Sequence, residues 1–444
     1  MERIKKWGRL LSDYFIAQAL VQTLGIATGL MLVNFMPVRE YALYTLALSA
    51  LTFLSFFSDL GINNSLLYFR RETRINGTSF KPYASASLSL RRWIFLIGVV
   101  GVLLIFVPAI VSKGFATIET IVVTVGVIIS IWFQINVSTR LLLLRIENKF
   151  RLSYLSEIVG NLIRLISVAG MYIALFMFAW LAMLITALSS GVMSWVSRKA
   201  MREFQTKDTI DSKNNPKIYQ HQIIKYLLPT LPNAIYFSIQ SPLIIWLSAY
   251  FGKTQNIAEV GALGRLGVIF GLISGLVGTV ILPRLSAVTD ERLYLRRYLQ
   301  YWVPLILIGS AAVIISALFP HALLILLGKN YSKLEKEVVL VAATAATNLW
   351  GGYSVSINNA RGWNRWQPIA LGLFIIGQIS FIASLDLSTT IGVLKFGLMS
   401  GILGLILQLF INVVGFSKPK LVLVKGCSDS AMFNNINISS IKNE

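Results

Sequence analysis

Twelve apolar stretches, each long enough to cross a bilayer as a helix, divide this chain of 444 residues. They run over 13–35, 41–66, 90–111, 118–142, 154–175, 177–199, 226–250, 257–284, 302–327, 336–358, 368–386 and 392–415. A hydrocarbon core needs about 20 apolar residues of helix to span it. Lipid satisfies no open backbone groups, so such stretches must be helical. Charged residues make up 13% of the chain and hydrophobic ones 55%, whereas soluble domains carry roughly 25% charged residues. That deficit excludes a water-facing surface around one core. The expected fold is an all-α integral membrane protein of twelve transmembrane helices.

The formal net charge of +21 has two readings, nucleic-acid binding or cytoplasmic loops rich in Lys and Arg. Position decides between them. With the N-terminus inside, 31 of the 40 Lys and Arg fall in inner segments, six in outer loops and three within helices (Arg164, Arg265 and Lys395). Alternation this regular supports the segmentation, places both termini inside, and accounts for the charge without nucleic acid. The basic start, Met1 to Ser12, precedes an apolar run too long for a cleaved signal peptide, so it is read as a retained first helix. One cysteine, Cys427, and two histidines, His221 and His321, leave no internal disulfide and make a zinc site improbable.

The longest hydrophilic stretch falls between the sixth and seventh spans. The expected organisation is an N-terminal six-helix lobe over 1–199, a cytoplasmic linker over 200–225, a C-terminal six-helix lobe over 226–416, and a disordered cytoplasmic tail over 417–444. Equal halves suggest a transporter with its site between them. The alternative is a twelve-helix bundle without that division.

Charge within a bilayer costs several kcal/mol and calls for a reason. Glu157, Asn161, Arg164 and Ser167 follow one another at four, three and three residues, so they share one helix face. Such a stripe lines a cavity or forms a structural ion pair, Arg164 with Asp59 or with Glu157. Glu157 lies about 10 Å along the axis from Arg164, a poor distance for pairing within the helix. Arg265 sits about 12 Å from the outer end of its span, too deep for full snorkelling. Lys395 is shallower, and snorkelling explains it nearly as well as a cavity role. Arg140 is either a cavity group or a boundary charge. Guanidinium groups recognise phosphate through paired hydrogen bonds. Arg164, Arg265, Lys395 and Arg140 are therefore candidate ligands of an anionic, phosphorylated substrate. Glu157, Asn161, Gln134, Asn233 and Gln240 are candidate polar lining for a sugar head.

Gly267, Gly271 and Gly275, like Gly397 and Gly401, repeat at four-residue spacing, which reads as close helix packing. Pro229, Pro232 and Pro242 interrupt the seventh span and bend it. There is no HExxH, GxSxG, Walker A or aspartate-rich metal motif. No enzyme activity and no cofactor are expected, and the energy source would be a proton or sodium gradient.

Three short motifs, in order and at matching helix ends, carry a family resemblance. They are Phe56-Phe57-Ser58-Asp59-Leu60-Gly61-Ile62-Asn63-Asn64-Ser65, Leu282-Pro283-Arg284-Leu285-Ser286 and Leu326-Leu327-Gly328-Lys329-Asn330-Tyr331. Over most of Ser12 to Phe416 the chain resembles the Wzx-type O-antigen flippases. These are the polysaccharide-exporter branch of the multidrug/oligosaccharidyl-lipid/polysaccharide (MOP) superfamily. Ile62 stands where leucine is usual.

The resemblance implies two six-helix lobes around a V-shaped, cationic cavity that opens alternately to each face. The implied substrate is an undecaprenyl-diphosphate-linked oligosaccharide in a bacterial inner membrane, with other polysaccharide-assembly membrane proteins as further partners. Asp59, Gly61 and Arg284 enter as motif positions, with structural roles expected for Asp59 and Arg284. Two competing readings are a drug or cation exporter, which would want acids deep in the cavity, and a polysaccharide polymerase, which would want a sizeable outer loop.

Overall fold

A computed structural model describes residues 2–75, 78–147, 149–205, 216–277, 281, 285 and 291–417. Arg284 and the 417–444 tail beyond Ser417 lie outside the described residues. In chain order the helices are α1 (Glu2–Phe35), α2 (Val38–Asp59), α3 (Ile62–Ile75), α4 (Lys81–Val111), α5 (Thr117–Ile146), α6 (Phe150–Ile173), α7 (Ala179–Gln205) and α8 (Pro216–Leu227). There follow α9 (Leu231–Phe251), α10 (Thr254–Leu276), α11 (Glu291–Leu318), α12 (Pro320–Ile325), α13 (Glu335–Arg361), α14 (Gln367–Ser384) and α15 (Thr390–Ser417). No strand occurs among the described residues. Among the described residues eleven helical spans are long and apolar enough to cross a membrane, α2 and α3 counting as one; α10, with 23 residues, is a further long helix packed on α2, α9 and α13. Leu103, Leu104 and Ile105 are exposed in succession on α4, as expected of a helix whose outer face meets lipid.

Four boundaries differ from the sequence reading. The second span does not run unbroken to 66. Leu60 (φ 41°) and Gly61 (φ 86°) are both left-handed, so α2 stops at Asp59 and α3 leaves at a new angle. Leu60 caps α2 by donating its backbone N–H to the Phe56 carbonyl at 3.0 Å. The third span begins at Lys81, which brings Arg91 and Arg92 into the body of α4. The seventh span begins at Leu231, leaving Pro229 in a turn and Pro232 in the first turn of α9, where its missing N–H costs nothing. Finally, the ninth span is two helices, α11 and α12, parted at Phe319 ahead of Pro320.

The linker also contains a helix. α8 packs on α3 and α4, with Ile223 and Leu227 buried against Ile62, Phe69 and Ala86. Tyr83 donates to Gln222 Oε1 at 2.6 Å, and its ring meets Tyr219 edge-on at 4.8 Å. These contacts fix the linker to the inner end of the first half.

At the end opposite α8 the first and second halves of the chain pack against each other. One buried cluster joins Leu32 and Val33 of α1, Met36 just after it, Tyr41, Tyr44, Ala47 and Leu54 of α2, Ile257, Ala258, Ala262 and Leu263 of α10, and Val338 of α13. Lys113 Nζ donates to the Gly252 carbonyl at 2.6 Å, and Asn34 Nδ2 to that of Leu326 at 2.7 Å. Gly261 lies so near Thr45 that a Cβ there would stand 2.9 Å from the threonine Cβ. The second half keeps a separate core at its inner end, around Tyr294, Tyr298 and Tyr353.

Candidate functional site

α6 carries its polar stripe inward, and α10 brings Arg265 across from the other half. Both arginines reach the tyrosines at the outer start of α2. Arg164 Nη2 donates to Tyr44 Oη at 2.6 Å. Arg265 Nε donates to Tyr41 Oη at 3.3 Å, and its Cζ stands 6.0 Å from the centre of the Tyr44 ring. Tyr41 and Tyr44 are fully buried, whereas both arginines keep part of their surface open. Gly29 of α1 makes room: a Cβ there would come within 3.4 Å of Arg265 Cδ. Among the described residues no carboxylate forms an ion pair with Arg164 or Arg265. Two phenols hold the two guanidinium groups at the seam between the halves.

The other charged candidates are spent locally. A cavity of about 390 Å³ in the first half is lined by Asp59, Asn63, Arg91, Gln134, Glu157 and Asn161, among others. Asp59 pairs with Arg91, its Oδ1 lying 3.5 Å from Nε. Arg91 Nη1 also donates at 2.7 Å to both Ser138 and Thr139. Glu157 pairs with Arg145 rather than Arg164, and Asn161 Nδ2 donates to the Glu157 carbonyl at 2.8 Å. Each acid of this wall therefore has its own arginine, and the wall carries little net charge.

Arg140 clamps α5 to α7, donating to the Ser194 carbonyl at 2.8 Å and to its hydroxyl at 3.1 Å. Lys395 is exposed on α15 while its neighbours Leu394 and Phe396 are buried. The structure thus brings Arg164 and Arg265 together and leaves Arg140 and Lys395 apart from them. Gly61 shapes the bend below Asp59, and a Cβ there would face Leu227 of α8 at 3.6 Å.

Two cavities open in the second half. One, of about 350 Å³, is lined by Asn233, Gln240, Asn348, Gln367 and Gln408, with rings from Phe237 and Phe374. The other, of about 320 Å³, shares Asn348 and is lined by Gly264, Gly267 and Gly271. The glycine repeat of α10 is therefore not a packing face. A Cβ at Gly267, Gly271 or Gly275 would meet nothing within 4 Å. The repeat of α15 does pack, since a Cβ at Gly397 would press Ile244 at 2.9 Å and one at Gly401 would press Thr347 at 2.5 Å.

Arg91, Arg145, Tyr41, Tyr44 and Asn348 were not candidates from sequence. Arg91 counts as a loop charge until α4 is known to start nine residues earlier. The tyrosines become significant only once two distant arginines converge on them.

No protein-family model and no curated protein matches the sequence. Solved structures do match in fold. An inward-facing multidrug resistance MATE family transporter of the MOP superfamily aligns at TM-score 0.65 and 15% identity, over 92% of this chain and 100% of the other. The lipid II flippase MurJ, in an inward closed conformation, aligns at TM-score 0.65 and 15% identity, over 91% and 89%. An outward-facing MATE family transporter aligns at TM-score 0.57 and 17% identity, over 92% and 95%. These likenesses show the fold: a multi-pass membrane bundle of the kind found in MOP superfamily transporters.

Proposed function

We propose that this chain is a flippase that moves undecaprenyl-diphosphate-linked O-antigen oligosaccharide units across the bacterial inner membrane by alternating access. The observation that carries the reading is the meeting of Arg164 and Arg265, one from each half, at Tyr44 with no acidic partner. A cation held by a phenol instead of a carboxylate keeps its charge available, and a diphosphate supplies the paired acceptors that guanidinium groups suit. Seating one arginine on each half lets the bound anion hold the halves together, so its entry and release are coupled to their relative motion. The family motifs of the sequence and the fold shared with a lipid II flippase support the same direction. The drug or cation exporter is disfavoured because Asp59 and Glu157 are each neutralised by an arginine. A proton or sodium gradient is the energy source in this reading, since no nucleotide-binding loop is present in the sequence.

The test is the leaflet distribution of lipid-linked repeat units in a strain lacking the protein. Trapping on the cytoplasmic leaflet supports the flippase. An unchanged distribution with altered drug tolerance would point to an exporter, and normal flipping with unpolymerised units outside would point to a polymerase.

A further inference from the structure

Asn348 is the central residue of α13 and therefore lies near mid-bilayer. It is exposed and lines both second-half cavities. Among the described residues nothing hydrogen-bonds the side-chain amides of Asn348, Gln240 or Asn233, although Gln367 and Gln408 bond each other at 3.2 Å. A primary amide offers two donors and one acceptor, and leaving it unpaired away from water is costly. Three such amides facing one space, running from the start of α9 at Asn233 to mid-helix at Gln240 and Asn348, call for a polar occupant.

The character of the wall narrows that occupant. No charged residue lines the 350 Å³ cavity, so nothing there selects an ion. The Phe237 ring lines it with 52% of its surface exposed, and Phe374 is held edge-on by Tyr236 at 5.8 Å. Flat apolar faces beside amides suit a ring that has hydroxyls on its rim and C–H groups on its faces. The neighbouring cavity continues this wall through Asn348 to Gly264, which precedes Arg265 in the chain. Along α10 the glycines leave open space next to the cationic seam.

We propose that the second-half wall, made of the glycine face of α10 and the amides of Asn348, Gln240 and Asn233, is a subsite for neutral sugar rings. On this assignment the sugar lies along α10 and α13 while the anionic group stays at Arg164 and Arg265. The assignment rests on the flippase reading, which it deepens.

The test compares two probes on the purified full-length protein in lipid nanodiscs. One is the lipid-linked repeat unit extracted from a strain lacking the protein, and the other is undecaprenyl diphosphate without sugar. The wild type should bind the sugar-bearing lipid at least about tenfold more tightly, the value of a few net hydrogen bonds. Gln240→Leu/Asn348→Leu should lose that preference and keep its affinity for the sugar-free lipid. Gly267→Leu, which fills open space, should do the same by occupying the subsite, and it serves if the double variant fails to fold. Equal binding of both probes by the wild type, or a preserved preference in a folded variant, overturns the sugar subsite and leaves the flippase reading intact. Failure of the wild type to bind either lipid overturns both.

Discussion

Arg164 donates a 2.6 Å hydrogen bond to the hydroxyl of Tyr44, and the same tyrosine ring receives Arg265 from the opposite half of the chain. Tyr44 itself is buried, so it acts as a fixed post between two cations. On the proposed reading, a doubly charged ligand at this seam offsets the mutual repulsion of the two arginines.

Arg164→Ala and Arg265→Ala should each abolish surface polysaccharide in a complementation assay, with normal protein level in the membrane. Arg164→Lys keeps the charge but loses the planar fork, and roughly tenfold less activity is expected. Normal polysaccharide from both alanine variants would remove the cationic seam from the mechanism.

Arg91 should be structural. Its side chain is 3% exposed and faces Asp59. Arg91→Met alone removes the partner of the half-buried Asp59 carboxylate and the donor to Ser138 and Thr139, and should lower stability by about 1–3 kcal/mol. Adding Asp59→Asn should recover much of the loss. Thermal unfolding of the detergent-solubilised variants reads both effects, and additive losses would argue against pairing.

The outer closure can be locked. Thr45→Cys/Gly261→Cys, in a Cys427→Ser background, places two sulfurs across the seam; the Cβ positions stand 2.9 Å apart, closer than the roughly 3.5–4.5 Å of a disulfide, so α2 and α10 must part slightly to admit the bond. Oxidation should cross-link the pair and stop transport, and reductant should restore it. A chain that transports normally while fully cross-linked would contradict alternating access.

The bend after α2 should tolerate only glycine at its second position. Gly61 has φ 86°, so Gly61→Ala is expected to cost about 1–2 kcal/mol. Leu60→Gly relieves the left-handed strain at φ 41° but deletes a buried side chain, so a net loss of about 1–3 kcal/mol is expected. Thermal midpoints of the two variants decide the matter.

The bundle and its helix order were legible because lipid enforces a length and a polarity that the chain cannot hide. The α6 stripe also read correctly as one face, since helical spacing alone sets it. What the sequence hid was partnership across helices. Glu157 looks equally suited to several arginines until α5 places Arg145 beside it. The α10 glycines were misread because four-residue spacing is the same for a helix that packs and for one that borders a void. Only the facing surface tells them apart, and there it is empty. Arg91 was hidden by an end effect: nine residues of mixed polarity, three of them serine, continue α4 beyond its apolar run.

The most direct measurement is flipping of a fluorescent undecaprenyl-diphosphate-linked oligosaccharide in proteoliposomes containing only this protein. The wild type should bring the lipid to the opposite leaflet faster than protein-free vesicles, and Arg164→Ala/Arg265→Ala should fall to the protein-free rate. Equal rates for wild type and empty vesicles under an imposed proton or sodium gradient, or full activity in the double variant, would contradict the account.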